Sequence, residues 1–130
     1  MLQHLTPDII RAPFAKYSHA VEVPEGMRLV VCSGQLGISL GDDIPADTEA
    51  QTRLCFDNIR AILGDAGMDL SNIVRINAYV TGRKHLKPYM KVRDELFGEP
   101  APASTLIIVS GFAREEFTVE IEVMAAGLPR

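Results

Sequence analysis

Residues Ile73 to Thr81 alternate without a break. Val74, Ile76, Ala78 and Val80 fall on one side, and Arg75, Asn77 and Tyr79 on the other. A repeat of two marks a strand with two different faces. Phe117 to Ala125 repeats the pattern. Phe117, Val119, Ile121 and Val123 form its apolar side, and Thr118, Glu120, Glu122 and Met124 the other. Each strand thus has one face suited to a core and one that is neither fully polar nor fully apolar. A fold for this chain must cover the first face and find a use for the second.

Two amphipathic helices are available to cover it. Ala50, Leu54, Cys55, Ile59, Ile62, Leu63 and Ala66 recur every three or four residues and form one apolar stripe. Thr48 with Gln51 reads as a capping box, with Asp47 as a rival cap, and Gly67 suits a left-handed C-terminal cap. Asp69 to Asn72 is a turn. The second helix runs from about Lys84 to Phe97, with Pro88 in its first turn, and Gly98 and Pro100 stop it.

The remaining runs are strands. Ala20 to Val23 and Met27 to Ser33 flank Pro24-Glu25-Gly26 and read as a hairpin. Gly34 and Gly37 to Asp43 read as loop. Ser104 to Val109 is apolar on both faces, which predicts a central strand. The order is β-β-α-β-α-β-β, an α/β (α+β) chain with a mixed sheet and two helices on one face. Two helices cannot cover both faces, so the mixed face predicts contact with further copies of the chain.

The length of 130 residues fits a single domain over residues 1–130. The formal net charge of −4 and the absence of a dense Lys/Arg run argue against nucleic acid as a partner. The basic group Arg83, Lys84, His85, Lys87, Lys91 and Arg93 reads as a solvated helix face. No run reaches the ~18 apolar residues of a membrane helix. No basic segment followed by an apolar one opens the chain, so a cytoplasmic location is expected. Cys32 and Cys55 are expected to be buried free thiols. No metal-ligand spacing is present, and neither a metal nor a cofactor is expected.

Taken together, several segments carry a resemblance. They are Tyr17-Ser18-His19-Ala20-Val21, Cys32-Ser33-Gly34-Gln35, the helix pattern Gln51…Asn58…Leu63…Ala66-Gly67, and the strand Val74 to Val80. The junction Phe97…Pro102-Ala103 and the end Val119-Glu120-Ile121-Glu122-Val123-Met124-Ala125 complete the set. In this order and spacing, from about Ile10 to Ala125, the chain resembles the RidA (YjgF) family, also described as endoribonuclease L-PSP or reactive-intermediate deaminases. The resemblance implies a chorismate-mutase-like fold and a homotrimer with a central barrel and three clefts between subunits. It also implies hydrolysis of small enamines and imines to 2-keto acids and ammonia.

The resemblance further assigns roles. Glu120 stands where the family's glutamate positions or activates water, and Tyr17 where a tyrosine lines the pocket. Ser33, Gly34 and Gln35 match the loop whose backbone reaches the ligand. The family's carboxylate-holding arginine follows Pro-Ala, and here Pro102-Ala103 is followed by Ser104. Serine cannot form the bidentate fork of a guanidinium. This puts the chain in a branch without that arginine and in doubt for 2-iminobutanoate or 2-iminopropanoate. Lys16 and Lys91 are candidate substitute cations, and His19, in place of the usual glutamine, is a candidate partner for Glu120. Three readings follow: a diverged deaminase-like hydrolase, a non-catalytic trimer that binds a metabolite, and, less favoured, a ribonuclease or translation inhibitor.

Overall fold

The structure, a computed structural model, describes residues 1–130. Its strands are β1 (Gln3–Leu5), β2 (Ala20–Glu22), β3 (Arg28–Val31), β4 (Gln35–Leu36), β5 (Ile73–Val80), β6 (Ala103–Ile108) and β7 (Val119–Gly127). Its helices are α1 (Thr48–Asp65) and α2 (Leu86–Leu96). The main sheet runs β3-β7-β5-β6, with β4 also paired to β7. β5 and β6 are parallel, joined by a crossover through α2, and every other pairing is antiparallel. This is the mixed α/β sheet of the chorismate-mutase-like fold, with both helices on one face.

The alternation of β5 and β7 places the core. Ile76, Ala78, Val80, Val119 and Ile121 are fully buried, and Val123 nearly so. They pack against Cys55, Phe56, Ile59 and Leu63 of α1 and against Tyr89 and Val92 of α2. Full burial of one such side chain is worth about 1.5–3 kcal/mol. The buried stripe of α1 also takes in Gln51 and Thr52. Gln51 donates its amide to Pro45 O and Glu116 O and accepts from Thr118 N. These bonds tie the loop before α1 to the start of β7, and they meet the polar atoms that burial would otherwise penalise.

Three expectations are corrected. The first two runs do not form a hairpin. β2 pairs with β1, Leu5 opposite Ala20, while β3 pairs with β7, Val31 opposite Met124. The turn fixes only a change of direction; the nine-residue β7 offers β3 a longer partner than the three-residue β2 can. Second, α1 has no Thr48–Gln51 capping box. Asp47 is the cap and accepts from Ala50 N at 2.7 Å. Thr48 and Gln51 are instead drawn into tertiary bonds. Gly67 does take the left-handed conformation, at φ 70°. Third, β6 is not central but the outermost strand. On its unclad side Ile107 is 46% exposed.

No helix is long and apolar enough to cross a membrane. Cys32 and Cys55 are both buried free thiols.

Candidate functional site

The sheet face without helices carries Glu120 on β7, opposite Tyr79 of β5. Glu120 and Glu122 are neighbours on that face, but their surroundings differ. Glu122 accepts from Tyr79 Oη at 2.7 Å and from Asn77 Nδ2 at 3.3 Å. Glu120 takes no hydrogen bond from the chain. Its carboxylate instead lies against Gly34. A Cβ placed on Gly34 would fall 2.6 Å from Glu120 Oε2 and 2.8 Å from Cδ. Only glycine leaves room for the carboxylate to rest on this backbone. Partial burial pushes the Glu120 carboxyl above the usual glutamate range, and the charge of Glu122 adds to the effect.

The loop that carries Gly34 is held from beneath by α1. Cys55 Sγ donates to Gln35 O at 3.2 Å, and Asn58 Nδ2 reaches Leu36 O at 3.5 Å. Gly37 lets α1 approach: a Cβ there would meet Gln51 Cβ at 2.7 Å. Gln35 pairs with Ile121 in the β4–β7 ladder and turns its amide back to Ser33 O. The Cys55 thiol is pushed up to about 12, by burial first and by the Glu120 charge second, and so stays neutral. It is an anchor, not a nucleophile. Its position in the apolar stripe of α1 reads as core alone; only the packing shows which carbonyl it meets.

The structure brings Ser33, Gly34, Gln35 and Glu120 together and sets the other candidates apart from them. Tyr17 and His19 lie along the outer edge of β6, where Ser18 bridges to Ala103 and donates its N–H to Pro102 O at 3.1 Å. Tyr17 Oη accepts from Phe14 N, its ring stands edge-on to His19, and His19 Nε2 donates to Arg11 O at 2.7 Å. Lys16 Nζ donates to Asp94 O and Phe97 O, both at 3.2 Å, and so caps the end of α2. Lys91 pairs with Glu49 at 3.1 Å in a surface network with Arg53 and Glu95, on the helix layer. Neither lysine is near Glu120.

Ser104 stands in register with Ile76 of β5, so its side chain points to the helices, away from Glu120. Its Oγ is buried beside the equally buried Tyr89 hydroxyl. Thr105 is the polar β6 residue on the face of Glu120, and it accepts from Arg75 Nη2 at 2.8 Å. Sequence reasoning gave Arg75 no role and read Arg93 as part of a solvated helix face, but Arg93 is buried. The signal for Arg93 was available: it lies one helical turn from Tyr89, on the buried side of α2.

The comparisons with known proteins agree with this architecture. The model of the family described as Endoribonuclease L-PSP matches residues 9–127. A RutC family protein of Pyrococcus abyssi is 30% identical over 115 residues, covering 87% of each chain. The 2-iminobutanoate/2-iminopropanoate deaminase of Dermatophagoides farinae is 26% identical over 112 residues, covering 85% of this chain and 84% of that one. The crystal structure of YyfB, a Rid family protein of Yersinia pestis, superposes with a TM-score of 0.80 at 25% identity, covering 95% of this chain and 97% of that one. With this match over nearly its whole length, the chain belongs to the Endoribonuclease L-PSP family, the group that includes the RutC and Rid proteins.

Proposed function

We propose that the protein is a deaminase-like hydrolase of small imines or enamines, working in clefts between the subunits of a homotrimer. The observation that carries this reading is Glu120: a carboxylate with no hydrogen-bond partner in the chain, seated on Gly34 and shifted toward neutral pH. A carboxylate in that condition is a better base toward water than an ordinary one. In the reaction, Glu120 takes a proton as water adds to the C=N carbon. Glu120 returns that proton to the nitrogen, and the resulting hemiaminal passes its hydroxyl proton to the amine as it collapses to a carbonyl and releases ammonia. The backbone of Ser33 to Gln35 supplies polar groups beside the reacting atoms. Tyr17 and His19, on the β6 edge, line a neighbouring wall when the face is closed by a second copy.

Support for the trimer comes from the unclad face, where Leu29, Val31, Ile107 and Met124 surround the polar residues. Such a face has no cover in one chain, and copies of the same face cover each other in a closed ring. The name of the Dermatophagoides farinae relative supports the reaction class.

The test is hydrolysis of imines generated with an amino-acid oxidase, in competition with semicarbazide. The protein is expected to divert imine from the trap, and Glu120→Gln to lower that rate by about 10²-fold or more. Rates at background for 2-iminobutanoate, 2-iminopropanoate and their uncharged counterparts would overturn the reading.

A second reading, a trimer that binds a metabolite without turning it over, is favoured by one observation. The position of the family's arginine is a serine turned toward the helices. Binding of a keto acid without imine hydrolysis would select it. A ribonuclease needs salt-sensitive RNA binding, for which an acidic chain is poorly suited.

A further inference from the structure

Glu120 and Glu122 stand two residues apart on one face of β7, about 7 Å along the strand. The fold treats the two carboxylates oppositely. In the β5–β7 register Asn77 is opposite Glu122, and Tyr79 is opposite Glu120. Tyr79 nevertheless passes its direct neighbour and donates to Glu122 Oε1 at 2.7 Å, where Asn77 Nδ2 adds a second bond at 3.3 Å. Two donors aimed at one oxygen fix where the charge of Glu122 sits. Tyr79 remains a donor: its bond to Glu122, then burial and the nearby carboxylates, push its phenol above the usual range. Glu120 has no such anchor and rests on Gly34. Few other charges bear on it. β5 adds only Tyr79 and Arg75, and Arg75, four residues back, is turned to Thr105. α1 adds Cys55, a neutral thiol. Ser33 to Leu36 and the residues of β6 add no titratable side chain.

We propose that Glu122 is a positioning residue for the reaction at Glu120: a fixed negative charge, anchored by Tyr79 and Asn77, that keeps Glu120 basic enough to take a proton from water and return it to the nitrogen. The inference deepens the hydrolase reading and rests on it. A pair of carboxylates in unlike surroundings can divide the work, one titrating while the other only supplies charge. Here the division is built by hydrogen bonds: both donors go to Glu122 and none to Glu120. Burial of Glu120 acts in the same direction as the neighbouring charge. Tyr79 has a second part in this arrangement. While its hydroxyl is spent on Glu122, it is kept off Glu120, where a phenol donor would weaken the base.

Glu122→Gln tests this, because glutamine keeps an acceptor oxygen for Tyr79 and Asn77 and removes only the charge. The titration of Glu120 is followed by carbon NMR of the full chain labelled at its glutamate carboxyls, the signal being assigned by its loss in Glu120→Gln. Glu122→Gln is expected to move that titration down by roughly 0.5–1 pH unit. The acid limb of the pH profile for imine hydrolysis is expected to move with it, and kcat to fall a few-fold with KM unchanged. Glu122→Asp, which keeps the charge, is expected to retain most of the native value. A Glu120 titration unchanged in Glu122→Gln, or lowered equally in Glu122→Asp, overturns the proposal. Should Glu122→Gln fail to fold, salt decides on the unmodified chain. Raising it from about 0.02 M to about 1 M screens the Glu122 charge and is expected to lower the Glu120 titration; an unchanged value overturns the proposal. Hydrolysis with a Glu120 titration indifferent to Glu122 sinks the positioning role alone. A titration that shifts as expected, without hydrolysis, sinks the catalytic reading alone.

Discussion

The two faces of one sheet behave differently although the same strands build both. On the face toward α1 and α2, Ile76, Ala78, Val80, Val119 and Ile121 are fully buried and their contacts are complete. On the other face, Tyr79, Asn77 and Glu122 satisfy one another, Arg75 reaches Thr105, and Glu120 is left without a donor. Around them Leu29 is 58% exposed and Val31 66%. The first face stores stability. The second holds an unpartnered carboxylate and an apolar rim that a single copy of the chain leaves open. Chemistry needs a group whose interactions are not all used up by the fold, and only the second face supplies one.

The sharpest way to break this comparison is to cut the same kind of side chain on each face. Ile121→Ala, on the clad face, is expected to cost about 2–5 kcal/mol of unfolding free energy. Ile107→Ala, on the open face, is expected to cost well under half of that in the dissociated chain. Denaturant titration at low protein concentration reads both; equal losses would mean that the open face is a core as well.

The next effect is on assembly. Light scattering is expected to give three times the 14.2 kDa chain mass. Val31→Asp, which puts a charge in the apolar rim, is expected to reduce it to one chain mass. A variant that stays trimeric would place the contact elsewhere.

A smaller change targets the unpartnered carboxylate. Gly34→Ala is expected to push the Glu120 carboxylate off the loop and lower imine hydrolysis by about 10²-fold, because misplacement by about 1 Å has that effect. Its melting temperature is expected to change little, since the displaced group is the free end of a side chain. A variant with full activity would remove Gly34 from the site.

The smallest effect is the pH dependence of Glu120. Its carboxyl is raised in the folded chain, so the folded state favours the proton at this site more than the unfolded state does. This contribution is present below the ordinary glutamate value, about 4.3, and is lost as pH rises through the folded value. Glu120→Gln is therefore expected to raise the melting temperature slightly at neutral pH, with the gain vanishing as pH falls below about 4. A gain independent of pH would mean that packing, and not charge, is responsible.

Legibility followed the range of each interaction. Alternation in β5 and β7 and the stripe of α1 were readable because they repeat locally. The acidic balance and the family pattern were also readable, including the serine at position 104. The partner of β3 was not, because a turn sets direction and not pairing. The edge position of β6 was not, because an apolar strand at the rim of one chain reads like a central one. Cys55 read as core, and its bond to Gln35 O became visible only in three dimensions. Lys16 and Lys91 were candidate cations only through the resemblance; their actual partners are carbonyls at the end of α2 and a carboxylate on α1.

By itself, the sequence determined the two helices and the strands that flank them, the two-sided character of β5 and β7, the family, and the absence of an arginine after Pro102-Ala103, but not the short strands β1 and β4. These depend on residue type and on short spacing. Only the tertiary structure decided that Glu120 rests on Gly34, that Ser104 faces the helices beside the buried Tyr89 hydroxyl, and that Arg93 is buried. Each of these depends on which strands pair and in which register. A shift of one residue turns every side chain of a strand to the opposite face.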